Sequence, residues 1–157
     1  MFLHRRFGLV SSGLLCLILV MGAASQERKI TRQEVPAPVL AAFEKAYPKA
    51  RIVGFSEEEE NGKLVYEVES KEGTVTRDVL YNADGTVIVV EERIAPADLP
   101  AAVRQAIQKE APKGAIVRSE KLMRGQETEY EVVVKEGAKK TEILLNPAGK
   151  VLRREGK

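Results

Sequence analysis

Apolar residues fall in two rhythms along this chain, and each rhythm is heard twice. Val39, Ala42, Phe43 and Ala46 recur at i, i+3, i+4 and i+7, which predicts one stripe of a helix. Leu40 and Tyr47 widen the stripe, Val35-Pro36 opens it, and Pro48 stops it. Val103, Ala106 and Ile107 repeat the pattern, with Asp98 placed to cap a helix that opens at Leu99-Pro100 and stops at Pro112. Between and after the helices the period drops to two. Leu64, Tyr66, Val68 and Ser70 share one side and Val65, Glu67 and Glu69 the other; Tyr130, Val132 and Val134 likewise oppose Glu129 and Glu131. Such alternation predicts half-buried strands of an antiparallel sheet. Apolar runs at 50–55 and 115–119 predict a strand after each helix, and further strands are expected at 74–81 and 139–145, then at 86–92 and 150–154. Lys-Glu-Gly at 71–73 and 135–137, with Asn-Ala-Asp-Gly at 82–85 and Asn-Pro-Ala-Gly at 146–149, supply the turns.

These two series are one series repeated. Residues 35–93 shifted by 64 positions fall on 99–157 without a gap, and 20 of the 59 pairs are identical. Identity at a third of positions is an internal duplication. The expected fold is α+β: tandem α-β-β-β-β repeats at 35–93 and 99–157, joined by a linker at 94–98. Each repeat is about 60 residues, a size that is marginal alone, so the two should share one curved antiparallel sheet with both helices packed on one face. The opposite sheet face would then be free.

The N-terminus changes the compartment. Arg5 and Arg6, an apolar run through Met21 and the small residues at 22–25 predict a signal peptide over 1–25, cleaved after Ala24 or Ser25. The uncleaved alternative is an N-terminal anchor. Residues 26–34 are polar and read as a tether. The only cysteine, Cys16, and the only histidine, His4, both lie in the leader. The remaining chain has no disulfide to rely on and is expected to be periplasmic or secreted, without membrane insertion after cleavage. Without the leader the charges cancel, 23 basic against 23 acidic, and two phenylalanines remain, which is no nucleic-acid signature. The halves differ: residues 35–93 hold seven basic and 12 acidic groups, residues 99–157 hold 13 and eight.

A helix opening VPAPV or LPAAV and ending YPKA or APKG, a strand VYEVES or EYEVVV, the KEG turn and the hairpin YNADG or LNPAG occur here in fixed order, twice. This ordered set resembles the PepSY-like, β-lactamase-inhibitor-like family of exported bacterial proteins. The resemblance implies tandem α/β repeats on a shared antiparallel sheet. It also implies a face for gripping a protein, since the inhibitor that lends the family its name holds its enzyme with the sheet face and loops. That inhibitor carries disulfides, which this chain lacks.

Candidate chemistry is sparse. Without His or Cys, nucleophilic triads and the usual zinc sites are excluded. Asp78 and Glu142, equivalent across the repeat, are the carboxylates a hydrolase would need. They fall with Glu67 and Glu131 on the side predicted to face solvent. Glu57 to Glu60 could offer oxygens to Ca²⁺, but consecutive strand residues point to opposite faces, so a solvated hairpin rim is expected. Tyr66 and Tyr130 share a side with Val68 and Val132 and are expected under the helices. The function expected is a non-enzymatic module gripping an envelope or extracellular protein through the open sheet face and hairpin loops, with Glu67, Arg77 and Glu131 as the contact residues. No cofactor is called for. The alternative is an envelope module responsive to a small ligand or Ca²⁺.

Overall fold

The computed structural model describes residues 27–60 and 62–156. The predicted leader, with His4, Cys16 and its cleavage point, lies outside the described residues. Nine strands form a single antiparallel sheet in sequence order, β1-β2-β3-β4-β5-β6-β7-β8-β9. β1 is Arg28–Lys29. Helix α1, Ala37–Ala46, leads into β2 Arg51–Glu60, β3 Lys63–Glu72, β4 Val75–Asn82 and β5 Val87–Arg93. Helix α2, Ala101–Glu110, leads into β6 Ala115–Arg124, β7 Glu127–Glu136, β8 Lys139–Leu145 and β9 Val151–Gly156. Every connection within the sheet is to the next strand, so the whole fold is a meander interrupted by two helices.

Proline sets the helix boundaries. Pro36 and Pro100 occupy the N-cap positions, and each helix ends two residues before Pro48 or Pro112, with Tyr47 and Ala111 as the C-caps. Asp98 does not cap α2: it closes a short 3-10 turn, Pro96–Asp98, and Pro100 begins the helix. A fixed φ suits a helix start and stops the turn before it from running on.

Both helices cover the same sheet face. Val39 and Phe43 of α1 pack on Val68, Val79 and Tyr81; Val103 and Ile107 of α2 pack on Val132, Val134, Ile143 and Leu145. The register carries this face across the junction, since Val79 pairs with Val90, and Val90 with Met123. Tyr66 and Tyr130 are half-buried against these two clusters, as the alternation predicts. The hairpin loops hold the helix starts. Gly85 and Gly149 take φ of 85° and 80°, and a methyl group at either would sit 2.6 or 2.5 Å from the carbonyl oxygen of Pro38 or Ala102. Both the left-handed backbone and the close approach require glycine there.

Residues 27–34 of the expected tether are part of the fold. Arg28 and Lys29 pair with Glu57 and Ser56, the Ile30 amide donates to the Phe55 carbonyl at 3.0 Å, and Ile30 and Val35 are buried in the core under α1. Ile30, strand pairing and the ion pairs of Arg28 and Lys29 together anchor the segment. The 64-residue register therefore begins earlier than Val35. Glu92 and Arg93 pair with Lys121 and Glu120, and the Ile94 amide donates to the Ser119 carbonyl at 3.0 Å. The short 3-10 turns at Arg32–Glu34 and Pro96–Asp98 also stand 64 positions apart. The first strand of each half also runs further than its apolar run indicated. β2 and β6 continue through the charged residues to Glu60 and Arg124, so Glu57 to Glu60 lie in the strand that leads into the β2–β3 hairpin, with Glu57 and Glu58 half-buried and Glu59 exposed.

Candidate binding face

The sheet face away from the helices curls into a groove of about 410 Å³, lined from Glu27 and Ser56 through Glu67, Glu91 and Glu131 to Arg153. Pairing fixes which side chains reach it. Glu67 stands beside Ser56 and Leu80, Asp78 beside Glu91, and Glu131 between Glu120 and Leu144. A small apolar cluster, Val65, Leu80, Val89 and Leu122, forms the floor. Leu144 packs against it.

Curvature alters the chemistry of these carboxylates. Glu120 and Glu142 are buried, and Glu67, Glu91 and Glu131 are half-buried. The expectation of a solvated face therefore fails: alternation identifies the side of a strand but not the curl of the sheet. In the second half Arg118 is the counter-charge, with ion-pair distances of 2.6 Å to Glu131, 3.3 Å to Glu120 and 3.8 Å to Glu142. Arg93 adds a 3.3 Å pair to Glu120, and Arg153 a 3.8 Å pair to Glu142. Among the described residues of 35–93 no arginine plays this part. The first half's equivalent of Arg118 is Gly54, where a methyl group would already lie 3.0 Å from the Glu69 carboxylate.

The acid strengths follow from this. Burial, and then the charges of Glu120, Glu131 and Glu67, push the Glu91 carboxyl up to about 7. No side-chain hydrogen bond or ion pair joins the Glu91 carboxylate to another of the described residues. Burial also raises Glu67, against a hydrogen bond that it accepts from Ser56, and raises Asp78, with Glu69 and Glu120 adding to the shift. Glu131 is raised by burial and by Glu142, with Arg118 opposing.

Glu67 and Glu131 are thus brought into one groove by strands β3 and β7. Arg77 is not. It lies on the helix face of β4, paired with Glu92 at 2.8 Å and with Tyr47 stacked 4.3 Å from its guanidinium carbon. Strand parity explains the correction: Arg77 is two and four residues from the core residues Val79 and Tyr81, whereas Asp78 takes the open side. Asp78 and Glu142 stand on β4 and β8, with Glu91, Glu120 and Glu131 between them in the strand order. The residue missed by sequence reasoning is Glu91. Its strand carries a continuous apolar run, so no alternation marked its side.

For cations, the carboxylates of Glu27, Glu67 and Glu69 approach within 4.8 Å of one another. The Lys29 ammonium already bridges two of them, 2.6 Å from Glu27 and 2.5 Å from Glu69. The Asn82 to Gly85 loop is a turn: the Gly85 amide donates to the Asn82 carbonyl and the Thr86 amide to Asp84 Oδ1, each at 2.9 Å. Its aspartate is engaged in closing the hairpin.

Known proteins share this fold. Residues 64–153 match the family model described as "Putative beta-lactamase-inhibitor-like, PepSY-like", and residues 38–89 match "Peptidase propeptide and YPEB domain". Among solved structures, a protein described as a putative periplasmic protein of Bacteroides eggerthii is 21% identical, with 78% of this chain and 88% of that one aligned at a TM-score of 0.68. A DUF2874 family protein from Bacteroides uniformis is 21% identical over 77% and 88%, with a TM-score of 0.66. A BLIP-like protein from Bacteroides fragilis is 21% identical over 76% and 84%, with a TM-score of 0.59. At these identities the likeness is one of fold. No curated protein sequence matches the chain.

Proposed function

The chain belongs to the PepSY-like, β-lactamase-inhibitor-like family, and we propose that it is an exported, non-enzymatic binding module that grips a protein partner through the concave sheet face and the hairpin loops, with Glu67 and Glu131 among the contact residues. In this reading the two helix-plus-four-strand halves are tandem copies from a duplication, and the leader at 1–25 delivers the chain to the periplasm or beyond. The periplasmic description of a fold relative and the BLIP-like description of another are consistent with it. Inhibition of an enzyme is the form of binding that the family name brings to mind.

The observation that carries the reading is the groove itself. Half-buried carboxylates around an apolar floor suit a protein surface that brings both a cation and an apolar side chain, because interfaces combine a dry centre with a polar rim. Catalysis is poorly served by the same geometry. Arg118 neutralises Glu131 and Glu142 in the second half, and no nucleophile other than carboxylate or hydroxyl lines the groove.

Carbodiimide labelling of carboxylates tests this. The tagged chain is labelled alone and in an extract of its native cell envelope. Glu67 and Glu131 should lose reactivity in the extract while Glu44 and Glu110, on the helix side, keep theirs. Equal labelling of all four in both samples removes the groove from the account. A cation-responsive module is the second reading, favoured by the Glu27, Glu67 and Glu69 group. It requires Lys29 to leave; calorimetric titration with Ca²⁺ that gives neither heat nor a shift in melting temperature at millimolar concentration eliminates it.

A further inference from the structure

The middle of the sheet contains a junction between halves, and β9 at one end and β2, beneath the two-residue β1, at the other carry the matching parts of that junction. At the junction β5 runs antiparallel to β6, with Val90 opposite Met123, Glu91 opposite Leu122, Glu92 opposite Lys121 and Arg93 opposite Glu120. Sixty-four positions later β9 repeats β5, and it pairs β8 in the same register as β5 pairs β4: Arg77 opposite Glu92 becomes Thr141 opposite Gly156. Its other edge, the one that β5 turns to β6, is the end of the sheet. Sixty-four positions earlier β2 repeats β6. Among the described residues its outer edge carries β1, two residues long, in the slots that Glu92 and Arg93 take on β6.

We propose that copies of this chain join head to tail, β9 of one copy pairing antiparallel with β2 of the next in the register of the internal β5–β6 junction. That register sets Arg154 opposite Glu59 and Arg153 next to it opposite Glu60. The apolar pair Val90 and Met123 of the internal junction is thereby replaced by opposite charges. The wider surfaces agree in sign, since residues 35–93 carry five more acidic than basic groups and residues 99–157 five more basic than acidic. Opposite charges across a strand pair favour the register that joins them. The same charges oppose a symmetric pairing of β9 with β9, which would bring arginines together. One pair is unfavourable, Glu155 opposite Glu58, and there Arg153 lies 3.3 Å from its own Glu155. Gly156 would contest the slot of Arg28, so β1 gives way as β9 arrives and acts as a plug on the growing edge. A head-to-tail contact of this kind builds rings or open filaments.

The test is a disulfide trap in the full chain with Cys16→Ser, so that no other thiol is present. Arg154→Cys and Glu59→Cys proteins are oxidised separately and mixed. The mixture should give a covalent heterodimer at least tenfold above either protein alone, and the yield should fall with added salt. Reversal at Arg153→Glu in the first protein should suppress the heterodimer, and Glu60→Arg in the second should restore it. Self-cross-linking of Arg154→Cys alone would mean a symmetric β9 pair and overturns the proposal. So does a mixture that yields no more than a control pair with its second thiol at Val117→Cys, with both partners folded by circular dichroism.

Discussion

The two halves of this molecule share their skeleton and differ in what is charged or polar inside it. Val39 and Val103, Val68 and Val132, and Gly85 and Gly149 are identical and occupy the same places in core and turn. Beneath α1, however, the sheet carries Arg77 and Tyr81, with Tyr47 above them; beneath α2 the equivalent positions are Thr141, Leu145 and Ala111. Glu92, which pairs with Arg77, is matched by Gly156. The four changes form one set, since an arginine near the core needs its carboxylate and its stacking ring. On the open face the bias is reversed. The second half has Arg118 to balance its carboxylates, and the first has Gly54. The two halves keep the same residues where the fold is built and differ in where they place compensated charge.

The sharpest way to break this comparison is at the shared glycines. Gly85→Ala and Gly149→Ala should each cost about 2–4 kcal/mol by urea unfolding, because strained backbone and a clash with a helix carbonyl add together. A loss in one half and none in the other would mean that the helices are not held alike. Next is Arg77→Thr, the residue of the second half. It should cost about 2 kcal/mol, since Glu92 loses its partner and Tyr47 its cation. Glu92→Gly on top should add less than it does alone, a coupling read from the double-mutant cycle.

Glu91 sharpens the comparison through pH. Its carboxyl is raised to about 7 in the fold, against an unfolded value near 4.5. The folded state then holds its proton more firmly than the unfolded state between these limits. Stability should fall as pH rises from about 4.5 to 7 and level off above. Glu91→Gln should flatten that slope and add about 1–3 kcal/mol at pH 8, with the gain absent below pH 4.5. The smallest effect is expected from Tyr81→Phe. The ring is fully buried and its hydroxyl finds no hydrogen-bond partner among the described residues. Its removal should raise stability by about 0.5–1 kcal/mol, while Leu145→Tyr in the other half should lower it by overpacking.

Much of this was legible in the sequence because repetition doubles every weak signal. Helix α1 and helix α2, the strand order and the glycine turns follow from apolar spacing and prolines that occur twice. What stayed illegible depended on three-dimensional curvature or on single residues. The segment at 26–34 looked polar because Ile30 is its only deeply buried side chain before Val35. Arg77 was assigned to the open face on its charge, whereas its parity with Val79 and Tyr81 places it beneath the helix. Glu67 and Glu131 were correctly assigned to the face opposite the helices, but their half-burial comes from the curl of the sheet, which strand patterns do not encode. Glu91 was hidden in the apolar run of β5.

The central claim, that the concave face is the working surface, is tested most directly by paired capture from the native envelope. One bait is the unaltered chain; the other carries Glu67→Lys and Glu131→Lys; a third, Glu44→Lys, changes the helix side alone. The account predicts one stoichiometric protein with the first and third baits and its loss with the second, at equal bait stability. The same protein held equally by all three baits would contradict it.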